Sequence, residues 1–129
     1  MQDQPAVSAT RILVVEDEFL IRLTLAEALA DEGFEVLESE SGDNALPVLL
    51  ADPTIALLLT DIQLPGSLDG RALARRARDA RPDLPILYMT GRPDPTAEAG
   101  AGPNDRYISK PYTLSDICAA VRSLISTTG

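Results

Sequence analysis

Five short apolar runs, each closing on or beside polar residues, set the rhythm of this chain. Arg11-Ile12-Leu13-Val14-Val15 is a β-branched run that ends on Glu16-Asp17, and Phe34-Glu35-Val36-Leu37 is a shorter one. Ile55 to Leu59 is apolar throughout, with none of the period-2 alternation of a half-exposed strand, so it reads as a strand buried on both faces. It ends on Thr60-Asp61 and breaks soon after into Pro65-Gly66. Pro85 to Thr90 and Arg106 to Lys110 supply the fourth and fifth strands.

Between these runs the apolar spacing changes from two to three and four. From Phe19 to Ala30, Leu20, Leu23 and Ala26 recur with Ile21, Leu25 and Leu29, and Gly33 supplies a left-handed stop, which predicts the first helix. Ser41-Gly42-Asp43-Asn44 looks like a second helix start. Pro47, tolerated only in a first turn, moves the expected start to near Asn44 or predicts a kink. Asp69 can cap a third helix with Leu73, Ala77 and Ala80 inward and Arg71, Arg75 and Arg78 toward water. Leu114, Ile117, Cys118, Val121, Leu124 and Ile125 mark a last helix capped by Thr113 or Ser115. The exception is Gly91 to Asp105, where three prolines and three glycines leave room for a short helix at best. Strands alternating with helices make a βα repeat, hence a parallel sheet with right-handed crossovers.

Composition narrows the function. One cysteine, Cys118, excludes an internal disulfide and suits a reducing compartment. The net charge of −9 argues against nucleic acid as a direct partner. No apolar run approaches a membrane span, and the first ten residues lack a signal peptide's layout, so a cytoplasmic location is expected. Histidine is absent, which removes the commonest general base and metal ligand, so chemistry must run on carboxylates, hydroxyls, a lysine or a metal. Ten of the eleven basic residues are arginine and only Lys110 is lysine, which marks that position.

In a parallel sheet every carboxyl end lies on one edge, where α/β folds place their ligands. That edge gathers Glu16 and Asp17, Asp61, Thr90 and Lys110 from four strands. Three carboxylates together repel unless a cation joins them, and oxygen-only ligands suit Mg²⁺. An ammonium and a hydroxyl beside a metal-bound carboxylate cradle a tetrahedral dianion, and the reaction needing that set is phosphoryl transfer to Asp61.

Val-Val-Glu16-Asp17-Glu18, Thr-Asp61-Ile-Gln-Leu-Pro65-Gly-Ser-Leu-Asp-Gly70, Met-Thr90-Gly and Tyr107-Ile-Ser-Lys110-Pro111 fall in order at the right strand ends. On these pieces the chain resembles the receiver domain of two-component response regulators, over residues 11 to 127, after a flexible tail at 1 to 10. The resemblance implies a flavodoxin-like doubly wound sheet of five parallel strands in the order 2-1-3-4-5. It implies Asp61 as phosphoacceptor, Glu16, Asp17, Asp61 and the Gln63 carbonyl as Mg²⁺ ligands, and Thr90, Gly91 and Lys110 around the phosphoryl group. Thr90 and Tyr107 match the switch pair, Gln63 and Arg92 lie where the family tunes dephosphorylation, and the Lys110-Pro111 bond is expected cis. Two departures stand out: Gly91 replaces a common alanine, and the fourth helix is degraded to a short, irregular or mobile segment, as in stand-alone receivers.

The expected function is that of a single-domain response regulator without an output domain. It would take a phosphoryl group from a histidine kinase or a histidine phosphotransfer protein and signal to a protein target through its fourth and fifth strands and fourth and last helices, as a monomer or weak dimer. Alternatives are a phosphate shuttle or sink, a receiver cut from a hybrid kinase, and a Mg²⁺-dependent phosphohydrolase working through aspartyl phosphate. The last generally needs a second acid two residues beyond the nucleophile. That position is Gln63, so no turnover beyond the protein's own phosphorylation and dephosphorylation is expected.

Overall fold

The computed structural model describes residues 9–128, so the expected tail falls largely outside the described residues. Five strands alternate with five helices: β1 Arg11–Val15, α1 Phe19–Asp31, β2 Glu35–Ser39, α2 Gly42–Ala51, β3 Ile55–Asp61, α3 Gly70–Ala80, β4 Ile86–Thr90, α4 Pro95–Ala99, β5 Asp105–Ser109 and α5 Leu114–Thr128. All strand pairs are parallel and the sheet order is β2-β1-β3-β4-β5, the flavodoxin-like arrangement expected.

Both faces of the sheet are covered, which is why its central strands carry no alternation. Ile12, Val14, Leu57 and Leu59 pack with Leu25 and Leu29 of α1 and with Ile117, Val121 and Leu124 of α5. Leu13, Val15 and Leu58 face the other way, onto Ala45 and Leu49 of α2 and Leu73 and Ala77 of α3. Between Arg11 and Ile12 the β1–β3 register skips Ala56, so Ile55 and Leu58 share a face despite their odd spacing. Cys118 belongs to the first of these cores, at 7% exposure.

Local sequence sets the helix limits. Gly33, at φ 99°, ends α1 in the left-handed region. Thr113 Oγ1 accepts from the Asp116 amide at 3.0 Å while an Asp116 carboxylate oxygen accepts from the Thr113 amide at 3.4 Å, a reciprocal cap on α5. α2 starts at Gly42 rather than near Asn44, capped by Ser41 Oγ, which accepts from the Asn44 amide at 3.1 Å. Pro47 therefore sits in the second turn. Its missing N–H deprives only the carbonyl of Asp43, on an exposed flank where water can take its place.

On α3, Asp69 accepts from the Ala72 amide at 2.8 Å, as expected of a cap. Asp69→Ala should lower unfolding stability by about 1 kcal/mol in chemical denaturation, since one of the helix's free N–H groups loses its acceptor. The inward face of α3 is Leu73, Ala74 and Ala77, and Ala80 is exposed. Arg75 and Arg76 face water, but Arg71 and Arg78 do not form part of a solvated face. Arg78 donates to the Leu84 carbonyl at 2.7 and 2.9 Å and to Asp105 at 2.6 Å, and Arg71 reaches Tyr107. Leu20, apolar and in helical register, is 72% exposed. α4 is five residues long with none buried, in keeping with its proline- and glycine-rich sequence.

Candidate functional site

The carboxyl edge of the sheet brings together the acids of β1 and β3 and the lysine after β5. Carboxylate oxygens of Glu16, Asp17 and Asp61 all lie within 4.8 Å of one another. Glu16 is 1% and Asp61 5% exposed, and Asp17 opens to solvent. Glu16 is tied into the sheet through its amide, which donates to the Ser39 carbonyl at 3.1 Å. Its Oε2 accepts from the Glu18 amide at 3.0 Å, whereas Oε1 is buried and has no hydrogen-bond partner among the described residues. Burial pushes the Glu16 carboxyl up to about 7; the Glu18 amide opposes this, and the neighbouring Asp17 and Asp61 add to it.

Asp61 is held from two sides. Lys110 Nζ donates to Oδ2 at 2.7 Å and the Gln63 amide donates to Oδ1 at 3.2 Å. Lys110 is placed by a bond from its own amide to the Thr90 carbonyl at 2.8 Å, which carries the β4–β5 ladder past Ser109, and the peptide to Pro111 is cis as expected. Burial lowers the Lys110 pKa, but the hydrogen bond and charge of Asp61, with Glu16 behind it, outweigh this and leave it raised.

The remaining candidates divide. Thr90 is buried at the end of β4, but its hydroxyl donates to the Arg92 carbonyl at 3.0 Å and accepts from the Arg92 amide at 2.9 Å, so it is engaged with the loop rather than with Asp61. Gly91 and Arg92 are exposed. A methyl group added at Gly91 would meet only Lys110 Cδ at 3.9 Å, so an alanine would fit there too. Tyr107 lies apart from the acids. Its ring stacks on Tyr88 with centroids 4.6 Å apart, and its hydroxyl accepts from Arg71 Nη1 at 3.0 Å. The helical period places Arg71 toward water, because a partner 36 residues away leaves no mark in it.

The acids fit a hard divalent cation. Their donors are all oxygen, they converge, and the buried Glu16 Oε1 has lone pairs that no group among the described residues satisfies. The pocket lies at the strand ends of a doubly wound sheet, the edge where α/β folds place their ligands, and carries an ammonium on one of its carboxylates.

Comparison with known proteins supplies the family. A model of the response regulator receiver domain matches residues 12–122, and the chain belongs to this family, the receivers of two-component systems, in which an aspartate is phosphorylated and Mg²⁺ is typically bound. It is 37% identical over 123 residues, 93% of its length, to the response regulator MprA of Mycobacterium bovis strain BCG. It spans about half the length of the curated relatives it matches, 52% in that case. Among solved structures, a response regulator receiver protein from Sinorhizobium medicae WSM419 superposes with a TM-score of 0.85 at 30% identity, over 94% of this chain and 98% of that one. The receiver domain of the hybrid histidine kinase CckA gives 0.74 at 32%, over 89% and 98%. No described helix is long and apolar enough to cross a membrane.

Proposed function

We propose that this receiver accepts a phosphoryl group on Asp61, from a phosphohistidine of a histidine kinase or phosphotransfer protein. The observation that carries the proposal is the pairing of a buried, doubly hydrogen-bonded Asp61 with the chain's single lysine, beside two further acids. Glu16, Asp17, Asp61 and the Gln63 carbonyl would hold Mg²⁺, which supplies charge neutralisation for the transferring group. Lys110 holds Asp61 in place and offers its ammonium to the phosphoryl oxygens once one carboxylate oxygen is phosphorylated, while the Thr90 hydroxyl and Gly91 line the same edge. Incubation with acetyl phosphate and Mg²⁺ should give one acid-stable, base-labile phosphoryl adduct per chain, on Asp61. Absence of the adduct, or sustained hydrolysis without it, would refute the assignment.

The signal leaves through the Thr90 hydroxyl. Captured by the phosphoryl group, that hydroxyl gives up both of its bonds to Arg92, and the exposed segment leading to α4 loses its attachment to β4. Tyr107, on the neighbouring strand, would repack as part of the same step, and Gln63 and Arg92 would set how readily water reaches the adduct. The reduced α4, short and with none of its residues buried, supports a module that signals by docking a protein target. Thr90→Val should still take up phosphoryl, but the change in amide exchange that beryllofluoride produces over residues 91 to 99 of the wild type should vanish. An unchanged response in the variant would count against this route.

A further inference from the structure

We infer that Asp43 is a positioning residue for the metal-binding edge. It sits at the start of α2, outside the acid cluster, and holds the β3–α3 loop that carries Gln63. The inference rests on the phosphoacceptor reading above. The loop is fixed at its root, where the Gly70 amide donates to the Ile62 carbonyl at 2.7 Å. Its far side, from Pro65 to Ser67, is exposed, and there both successive amides turn to one carboxylate: Ser67 donates to Asp43 Oδ2 at 3.1 Å and Leu68 to Oδ1 at 3.0 Å. Hydrogen bonds to an ionised acceptor are the stronger kind, and two from adjacent amides fix orientation as well as distance.

The fit on both sides is tight. Gly66, at φ 88°, turns the chain toward α2, and a Cβ there would stand 2.7 Å from Asp43 Oδ2. A Cβ on Gly42 would stand 2.5 Å from the Leu68 carbonyl oxygen. Asp43 is not needed to cap its own helix, because Ser41 already does so. The same β2–α2 connection also touches the other side of the pocket, where the Ser39 carbonyl accepts from the Glu16 amide. One short stretch, Ser39 to Asp43, thus holds both the acid of β1 and the loop that carries Gln63. Groups hydrogen-bonded directly to metal ligands commonly contribute roughly 10- to 100-fold to metal affinity, and Asp43, which acts on the Gln63 loop through the Ser67 and Leu68 amides, is expected at the lower end of that range.

Titration of the full chain with MgCl₂ alone, followed by calorimetry, together with metal-free amide exchange at Ser67 and Leu68, tests this. Asp43→Ala should weaken Mg²⁺ binding by about tenfold and speed exchange at both amides, and Asp43→Asn, which keeps one acceptor oxygen, should fall between. Ser41→Ala removes the cap of the same helix without touching the loop, so it should lower thermal stability yet leave Mg²⁺ affinity and both amides as in wild type. Asp43→Ala binding Mg²⁺ within twofold of wild type, or Ser41→Ala weakening it equally, would overturn the inference alone. A wild type that binds no Mg²⁺ would overturn the phosphoacceptor reading together with it.

Discussion

Asp61→Asn is expected to take up no phosphoryl group from acetyl phosphate at any Mg²⁺ concentration, while melting as a cooperative folded protein. The amide is close in shape to the carboxylate and keeps an oxygen to accept from Lys110 or from the Gln63 amide, so the strand end is not dismantled. What it loses, on the phosphoacceptor reading proposed above, is the anionic oxygen that would attack phosphorus. The expectation discriminates because three acids share this edge. Asp17 is exposed and also within reach of the cluster, but Lys110 is bonded to Asp61, at 2.7 Å. An ammonium bonded there offsets charge most directly at the Asp61 carboxylate. Intact-mass spectrometry after incubation reads the result directly. A full adduct surviving in Asp61→Asn would move the acceptor to a neighbouring acid and remove the role given to Lys110.

Much of that edge could be seen in the sequence because it depends on short-range order. A buried parallel strand announces itself by an apolar run, its carboxyl end is a fixed place, and four such ends carried Glu16, Asp17, Asp61, Thr90 and Lys110. The helices were visible for the same reason, and so was the weakness of α4 among its prolines and glycines. What escaped depends on who sits opposite whom. Leu20 follows the helical period of α1 but lies mostly in solvent, because periodicity records hydrophobicity and not the presence of a neighbour. Arg71 and Arg78 look like a solvated stripe, yet their long side chains turn back to Tyr107 and to Asp105 and the Leu84 carbonyl. Asp43 resembles a helix-start residue, and its bonds to Ser67 and Leu68 join positions more than twenty residues apart. The proline rule misplaced the start of α2 because it assumes that a freed carbonyl matters, and on an exposed flank it does not.

Glu16 gives the second large effect, in the metal-free protein. Its carboxyl stands at about 7 in the folded chain against an ordinary 4.5, chiefly because burial disfavours the charge, with Asp17 and Asp61 adding to the shift. A raised folded pKa means that the folded state holds a proton the unfolded state has released. The stabilising contribution is therefore complete below about pH 4.5, shrinks as pH rises, and is gone above about pH 7. In the presence of a chelator, the shift is worth about 3 kcal/mol of unfolding free energy across that window. Glu16→Gln carries no proton to lose, so subtracting its denaturation curve from that of wild type isolates the term from every other titrating group. The variant should match wild type near about pH 5 and exceed it near about pH 8. Added Mg²⁺ should reverse the order at the higher pH, since a cation favours the ionised carboxylate that burial penalises and gives Glu16 Oε1 the partner it lacks. A wild-type minus variant difference that stays flat between those pH values would show that the acids are already relieved without a metal. The edge would then have no standing demand for a cation.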